Sequence, residues 1–229
     1  MVGGSAHSAL AAFPGWQGVR LLCAQAQGMY WFLVMRADLN PKRGDVSVVK
    51  GRSIGAAPWV EMGVRRLLIE AGVDLDRDGV KIAPVPGSLE AGVNFGVTAA
   101  KALAERKIDG FWANGMGAEV AVRSGAGAVV LDVRRGDGPK ASFNYTMAAI
   151  AAADRLIERS PEIAQAAIRA IGNTHAALKK DVSLATQVGR KLFPAAARAD
   201  TAQAVRSFLS EAKAGFASTR HESGMHFNH

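Results

Sequence analysis

Apolar and polar positions along the chain alternate between short β-type runs and longer stripes of helical spacing, an order that predicts an α/β fold. A short helix is expected at about Ser5 to Phe13, and strands at Val19 to Ala24 and Tyr30 to Arg36. Asn40-Pro-Lys-Arg-Gly-Asp45 is turn material. The next strand, Arg52 to Ala56, feeds a helix whose stripe Val60, Val64, Leu67, Leu68 and Ala71 stops at Gly72. Lys81 to Val85 is the following strand, and Val93, Val97, Ala100 and Leu103 mark the helix after it. Gly110 to Ala113 and Ala128 to Val133 continue the alternation, so a mainly parallel sheet is expected.

From about Met147 the pattern predicts helix only. Ser160-Pro161 supplies an N-cap and a proline at the first helical position, ahead of a stripe of Ile163, Ala167, Ala170, Ile171, Thr174 and Leu178 that should be buried. Two further helices carry Leu184, Val188 and Leu192, then Val205, Phe208 and Leu209, with Pro194 between them. Ser218 to His229 reads as a loose polar tail, and no internal repeat is present.

With 229 residues, 49% of them hydrophobic, the chain can build one large or two small cored units, which argues against disorder. A net charge of +8 would suit nucleic acid, an acidic surface or a small anion. The basic residues are dispersed, as Arg65-Arg66, Lys101, Arg106-Lys107, Arg134-Arg135 and Lys179-Lys180, without interleaved aromatics, so nucleic acid is not expected as a partner. The single cysteine, Cys23, excludes an internal disulfide and a cysteine-based zinc cluster, and its run Val19-Arg-Leu-Leu-Cys-Ala24 reads as core. No run approaches a membrane span, and Met1 to Ser8 lacks the charged and apolar regions of a signal peptide.

The candidate chemistry sits where strands hand over to helices. Gly110-Phe-Trp-Ala-Asn-Gly-Met-Gly-Ala-Glu119 is an apolar strand running through Asn114, a candidate N-cap, into a helix whose Gly115 and Gly117 leave the first-turn amides open to an anion. Loops at the carboxyl ends of strands line the binding crevice of open α/β sheets. Ala56-Ala-Pro-Trp-Val-Glu61, Val85-Pro-Gly-Ser-Leu89 and Trp112-Ala-Asn-Gly-Met116 would together make one wall, with Trp59 and Trp112 as flat apolar surfaces. Pro58 would preset the entry of its helix, and Glu61 could accept from an amine or a ring N–H.

Arg52-Ser-Ile-Gly-Ala56, Gly110-Phe-Trp-Ala-Asn114, Val130-Leu-Asp-Val-Arg-Arg-Gly-Asp-Gly-Pro139 and a helical end with Val188-Gly-Arg-Lys-Leu-Phe-Pro194 follow one another over about Gly3 to Leu209. In that order they resemble the periplasmic substrate-binding proteins of ABC importers, of the group that binds sulfonates, nitrate, taurine and thiamine precursors. The resemblance implies a type II periplasmic-binding fold of two α/β lobes joined by crossing strands, with a solute trapped between them and handed to permease subunits in the membrane. It implies crossings near Ala24-Gln-Ala-Gln-Gly-Met-Tyr30 and Asn144-Tyr-Thr146. The second lobe would be residues 29–145. The first would comprise 1–28 and a helical part at 146–217, followed by the tail at 218–229. By the same resemblance Ser5 and His7 would face the ligand from the first lobe, and Gln27 and Tyr145 would read its polar edges from the hinge.

Members of that group begin with roughly two more βα units, so the first lobe is incomplete in this sequence. Either the natural chain is longer and carries a signal peptide, or a homodimer covers the open sheet edge. The location implied by the resemblance is periplasmic. No cofactor and no metal are expected. Asp74-Leu-Asp-Arg-Asp-Gly79 opens like a calcium loop but places Val85 where a bidentate glutamate is needed, so it reads as a helix-to-strand turn. His221, His226 and His229 lack a rigid spacing or an acidic partner, and His175 reads as a packing or surface residue. The alternative function is an enzyme of pyrimidine, thiamine or menaquinone precursor metabolism on the same fold, for which only Glu61, Asp132 and His7 offer an acid or base, none with an evident partner. An effector-sensing domain would come with a helix-turn-helix, and none is visible.

Overall fold

The computed structural model describes residues 1–13, 15, 17–26, 28–90 and 93–192. Gln27, Pro194, the expected helix at Val205 to Leu209 and the histidines of the tail lie outside them. In chain order the first half forms β1 (Val2–Ser5), α1 (Ala6–Ala12), β2 (Val19–Ala24), β3 (Phe32–Arg36), β4 (Ser53–Gly55), α2 (Glu61–Glu70), β5 (Lys81–Ala83) and α3 (Phe95–Ala104). Then come β6 (Gly110–Ala113), α4 (Gly115–Arg123), β7 (Gly127–Asp132), α5 (Lys140–Phe143), β8 (Ala148–Ala153), α6 (Asp154–Arg159), α7 (Pro161–Lys180) and α8 (Ser183–Leu192).

The larger sheet has the order β5-β4-β6-β3-β7. Strand β4 runs parallel to both β5 and β6, whereas β3 is antiparallel to both β6 and β7. The expectation of a mainly parallel sheet therefore holds for β5-β4-β6 only. Period-two patterning encodes which face a residue takes, not which way its strand runs. Alternation along β3 and β6 divides the core into two layers. Leu33, Met35 and Trp112 face α2 with Ile54, Val64, Leu67 and Leu68, while Phe32, Val34, Phe111 and Ala113 face α3 and α4 with Ala99, Leu103, Ala118 and Ala121. Each fully buried leucine of α2 contributes about 1.5–3 kcal/mol through removal from water, and Leu67 and Leu68 are both fully buried. Gly72, at a φ of +84°, ends that helix as its sequence predicts.

The smaller sheet is antiparallel throughout, in the order β1-β8-β2. Strand β8 corrects the expectation of helix only after Met147. Ala148-Ala-Ile-Ala-Ala-Ala153 has nearly one residue type throughout, so no periodicity separates helix from strand. As the middle strand it is buried at five of its six positions. Ser5 ends β1 and holds the N-cap position of α1 without a side-chain capping bond. Cys23 is half-buried rather than core.

The helical end is also more open than its pattern suggests. In α7 only Ala164 is fully buried, Ile163 is 48% exposed, and Ala170 and Thr174 are exposed. The helix touches α6, α8 and β2 along a narrow line through Ala167, Ile171, His175 and Leu178, so the expected broad stripe is not enclosed. Ser160 and Pro161 hold the expected cap and first helical positions, but the serine side chain makes no capping bond. On this line the His175 Nε2 donates to the Gln25 carbonyl at 2.7 Å.

Two chain segments join the sheets side by side. The Gln25 amide donates to the Ala148 carbonyl (2.9 Å), and the Met29 amide to the Phe143 carbonyl (3.0 Å). These are the segments expected as crossings. Helices α3 and α4 cross where two glycines meet: a Cβ on Gly117 would lie 2.7 Å from the Gly96 carbonyl oxygen and 2.8 Å from its Cα. That backbone contact cannot accept a methyl group without movement. Gly117→Ala should therefore lower stability by about 1–3 kcal/mol. Gly172→Ala, in mid-helix with nothing within 4 Å of the added carbon, should raise it by about 0.5–1 kcal/mol. Urea unfolding of the two variants beside the parent checks both signs.

Candidate functional site

Strands β4 and β6 are parallel neighbours, yet their outgoing helices leave for opposite faces, α2 to one side of the sheet and α4 to the other. In open α/β sheets, divergence of this kind is where ligands bind, beyond the carboxyl ends of the two strands. Residues 56–61 form one lip and residues 114–117 the other, and the loop after β5 lies beside the first because β5 pairs with β4.

On the first lip the Val60 amide donates to the Ala57 carbonyl at 3.1 Å, closing a turn with Pro58 and Trp59 at its centre. Trp59 has a φ of +67°, the sign a type II turn requires at its third position and one a bulky residue takes at a cost of about 1–3 kcal/mol. The turn holds the indole outward, 51% exposed. Pro58 sits in this turn, which leads directly into α2 at Glu61. Glu61 sits half-buried in the first turn of α2, and its Oε2 is buried without a partner among the described residues.

Across the crevice Asn114 occupies the N-cap position of α4 with extended backbone (φ −71°, ψ 176°), but its side chain makes no capping bond. The exposed side-chain amide is thus uncommitted, and the first-turn amides from Gly115 onward have no intrahelical acceptor. Asn94 is what sequence reasoning missed. It caps α3 by accepting from the Val97 amide at 3.1 Å, and its Nδ2 lies 3.3 Å from Met116 Sδ, which ties the loop after β5 to α4. Ser88, in that loop, has a buried hydroxyl without a partner among the described residues. Each of the three loops so presents one polar side chain that the fold leaves unspent: Glu61, Ser88 and Asn114.

Trp112 departs from its expected role. It points from β6 into the α2 layer with no exposure, its ring 6.0 Å from that of Trp31, so neither of its faces is free to stack on a ligand. Position alone did not reveal this, since every residue of Gly110–Ala113 is buried. Its Nε1 has no partner among the described residues. That edge borders a cavity of about 310 Å³ between α2 and α5, lined by Met29, Met62, Gly63, Leu67, Trp112, Ser142 and Tyr145 and flanked by the ion-paired Arg66 and Glu70. Tyr145 and Trp112 meet there, whereas Trp59 and Asn114 do not line it. At the smaller sheet Ser5 is half-buried, and the Ala6 amide donates to the Met147 carbonyl at 2.8 Å, which sets the start of α1 beside the residues leading into β8. His7 lies in the first turn of α1.

Asp132, a candidate acid or base without an evident partner in the sequence, is firmly paired. Arg134 grips it with Nε at 2.8 Å and Nη2 at 2.7 Å, both side chains are nearly fully buried, and the guanidinium lies 4.4 Å above the Phe32 ring. A carboxylate held in that fork is an anchor for the end of β7, not a proton carrier. Three other carboxyls stand below the usual carboxylate range: Asp45 through bonds from Ser47, Asp78 through Lys50 and Glu105 through Lys107. Each favours the folded state above its unfolded pKa of about 4, and the contribution is lost as pH falls through the lower folded value. All three precede the amino ends of the parallel strands, opposite the crevice.

No protein-family model matches the sequence, and no curated protein matches it. Solved structures match its fold. A protein from Bordetella bronchiseptica RB50 superposes with a TM-score of 0.68 at 20% identity, over 91% of this chain and 64% of its own. The ligand-binding component of an ABC-type import system from Staphylococcus aureus gives 0.65 at 10% identity, over 95% and 73%. The alkanesulfonate-binding protein SsuA from Xanthomonas axonopodis pv. citri, bound to MOPS, gives 0.65 at 11% identity, over 89% and 64%. The desulfurization enzyme DSZB also shares the fold, with a TM-score of 0.53 at 14% identity, over 92% and 78%. The resemblance read in the sequence is thus borne out in the architecture: the chain has the two-lobe fold of the solute-binding proteins of ABC importers. It spans about two thirds of their length.

Two substitutions test the geometry of the lips and of their anchor. Trp59→Gly should stabilise the fold by about 1 kcal/mol, because relief of the positive φ outweighs the added freedom of the unfolded chain. A loss of stability would mean that the indole packs more tightly than its exposure indicates. Asp132→Ala strands a buried guanidinium and should cost about 3–5 kcal/mol in the same unfolding measurement.

Proposed function

We propose that the chain is the solute-binding component of an ABC-type import system, capturing a small anionic or heteroaromatic solute between two lobes and delivering it to permease subunits, in the periplasm. The carrying observation is the divergence of α2 and α4 from adjacent parallel strands, where the loops that follow the strands hold Glu61, Ser88 and Asn114 uncommitted among the described residues and the first amides of α4 have no side-chain cap. The amides of Gly115 and its neighbours would take an acidic or carbonyl oxygen, Asn114 would hold a second, Glu61 would accept from an amine or ring N–H, and Trp59 would cover the solute with its exposed face. Ser5, His7, Gln27 and Tyr145 would close over it from the first lobe and the hinge. In this reading residues 1–28 and 146–217 belong to one lobe and 29–145 to the other. The open edge at β1, with Val2 63% exposed, would be covered by a second copy of the chain.

The fold likeness to import components supports binding over turnover, and the pairing of Asp132 removes one of the three groups an enzyme could have used. A thermal-shift screen of sulfonates, aromatic carboxylates and pyrimidines tests the reading. A bound solute at one hundred times its dissociation constant stabilises by about 2.7 kcal/mol, and the double variant Trp59→Ala/Asn114→Ala should abolish that shift. Silence across the library, together with turnover of a precursor metabolite, would replace the binding component with an enzyme.

A further inference from the structure

From the junction of β6 and α4 we infer that Asn114 is a site of spontaneous deamidation, in which the Gly115 amide nitrogen attacks the asparagine side chain and a carboxylate is left at the start of the helix. The chemistry stands apart from the solute-binding reading, whereas its consequence for binding rests on it. Asn114 is the one asparagine in the sequence that glycine follows. A glycine leaves the attacking nitrogen unshielded, while the other asparagines precede proline, phenylalanine, tyrosine, threonine and histidine.

The structure separates Asn114 further from the other described asparagines. Asn94 spends its Oδ1 on the Val97 amide and its Nδ2 on Met116 Sδ. Asn173 lies in the middle of α7, and after Asn144 the Tyr145 amide already donates to the Ser142 carbonyl at 3.4 Å. Asn114 is exposed and makes no capping bond, and the Gly115 amide, at the first position of α4, has no intrahelical acceptor. An amide must lose its proton to attack, and the positive end of the helix favours that loss. Ring closure also needs the backbone to turn out of its extended ψ of 176°. The bond that holds this peptide, from the Ala118 amide to the Asn114 carbonyl, is long at 3.5 Å.

In the first step the Gly115 nitrogen bonds to Cγ of Asn114, the Cγ–Nδ2 bond breaks, and ammonia leaves with the proton of the Gly115 amide. Water then opens the cyclic imide. Opening at Cγ gives aspartate, and opening at the main-chain carbonyl gives isoaspartate, whose backbone runs through the side-chain carbons. An amide and a water thus become a carboxylate and ammonia. The aspartate product suits its place, since Asn114 Oδ1 and the Gly117 amide nitrogen flank a single point, 3.3 Å and 2.9 Å from a Cβ built on Gly96. A carboxylate there accepts from the first-turn amides, as aspartate does at helix starts. It then occupies the donors that the solute-binding reading assigns to an anion.

The test ages the purified protein in mildly alkaline buffer and follows each asparagine by peptide mass mapping, with methyl transfer by a protein isoaspartate methyltransferase as the second readout. Asn114 should convert at least about tenfold faster than Asn144 and Asn173, a modest gap in activation barrier. Gly115 has no positive φ, so Gly115→Ala fits the helix and should slow conversion at Asn114 by a similar factor. Asn114→Asp, which reproduces the product with an unbroken main chain, should slow hydrogen exchange at the Met116 and Gly117 amides. Conversion at Asn114 no faster than at Asn144, or as fast in Gly115→Ala as in the parent, overturns the inference. Unaltered exchange at Met116 and Gly117 in Asn114→Asp overturns the capping role of the product. The solute-binding reading falls separately, if the wider library is silent in the thermal screen.

Discussion

Two adjacent parallel strands whose helices must leave on opposite faces of one sheet are the constraint on which the rest depends. Because β4 connects back to β5 while β6 connects onward to β7, α2 and α4 part company at the carboxyl edge. The separation is held from below by the close approach of Gly96 and Gly117, which fixes α3 against α4, and at the far end of the edge by the Asp132–Arg134 fork. The crevice is a consequence of chain order, and its polar lining is a consequence of helix ends that the fold does not cap.

The molecule gives up stability in this region. A tryptophan holds a backbone conformation that suits glycine, a carboxylate oxygen and a hydroxyl are buried without partners among the described residues, an asparagine stands at a cap without capping, and a glycine interrupts a helix beside a void. Strain and unpaired polar groups concentrate where a protein is built to meet something else. The first four lie on the three loops of one sheet edge and the glycine one turn further along α2. Elsewhere the described residues form two apolar layers around a sheet with surface ion pairs at its opposite edge, with further positive φ values only at Asn40 and Arg106 and further unpartnered buried groups at Trp31, Trp112 and Thr186.

Much of the larger lobe was legible in the sequence because its signals are local. The run from Gly110 through Asn114 to Glu119 reads as strand, cap position and helix from three neighbouring kinds of residue, and α2 stops where Gly72 says it should. What stayed hidden depends on partners distant in sequence. The antiparallel course of β3 follows from the path the chain takes on entering the lobe, which no period records. The alanines of β8 look alike in helix and strand. In a strand buried on both faces, Trp112 could point either way, and only its pairing with β3 and the position of α2 decide that it faces the core and the cavity. Asn94 matters through Met116, which is 22 residues away.

The central claim is that the lips after β4 and β6 take the solute, and amide chemical shifts measured during titration with the most stabilising solute address it directly. The account predicts that the largest displacements fall at Trp59 to Glu61 and Gly115 to Gly117, with β7 and α7 unmoved. Saturable displacements confined to β8 and α7, with those lips silent, would contradict it.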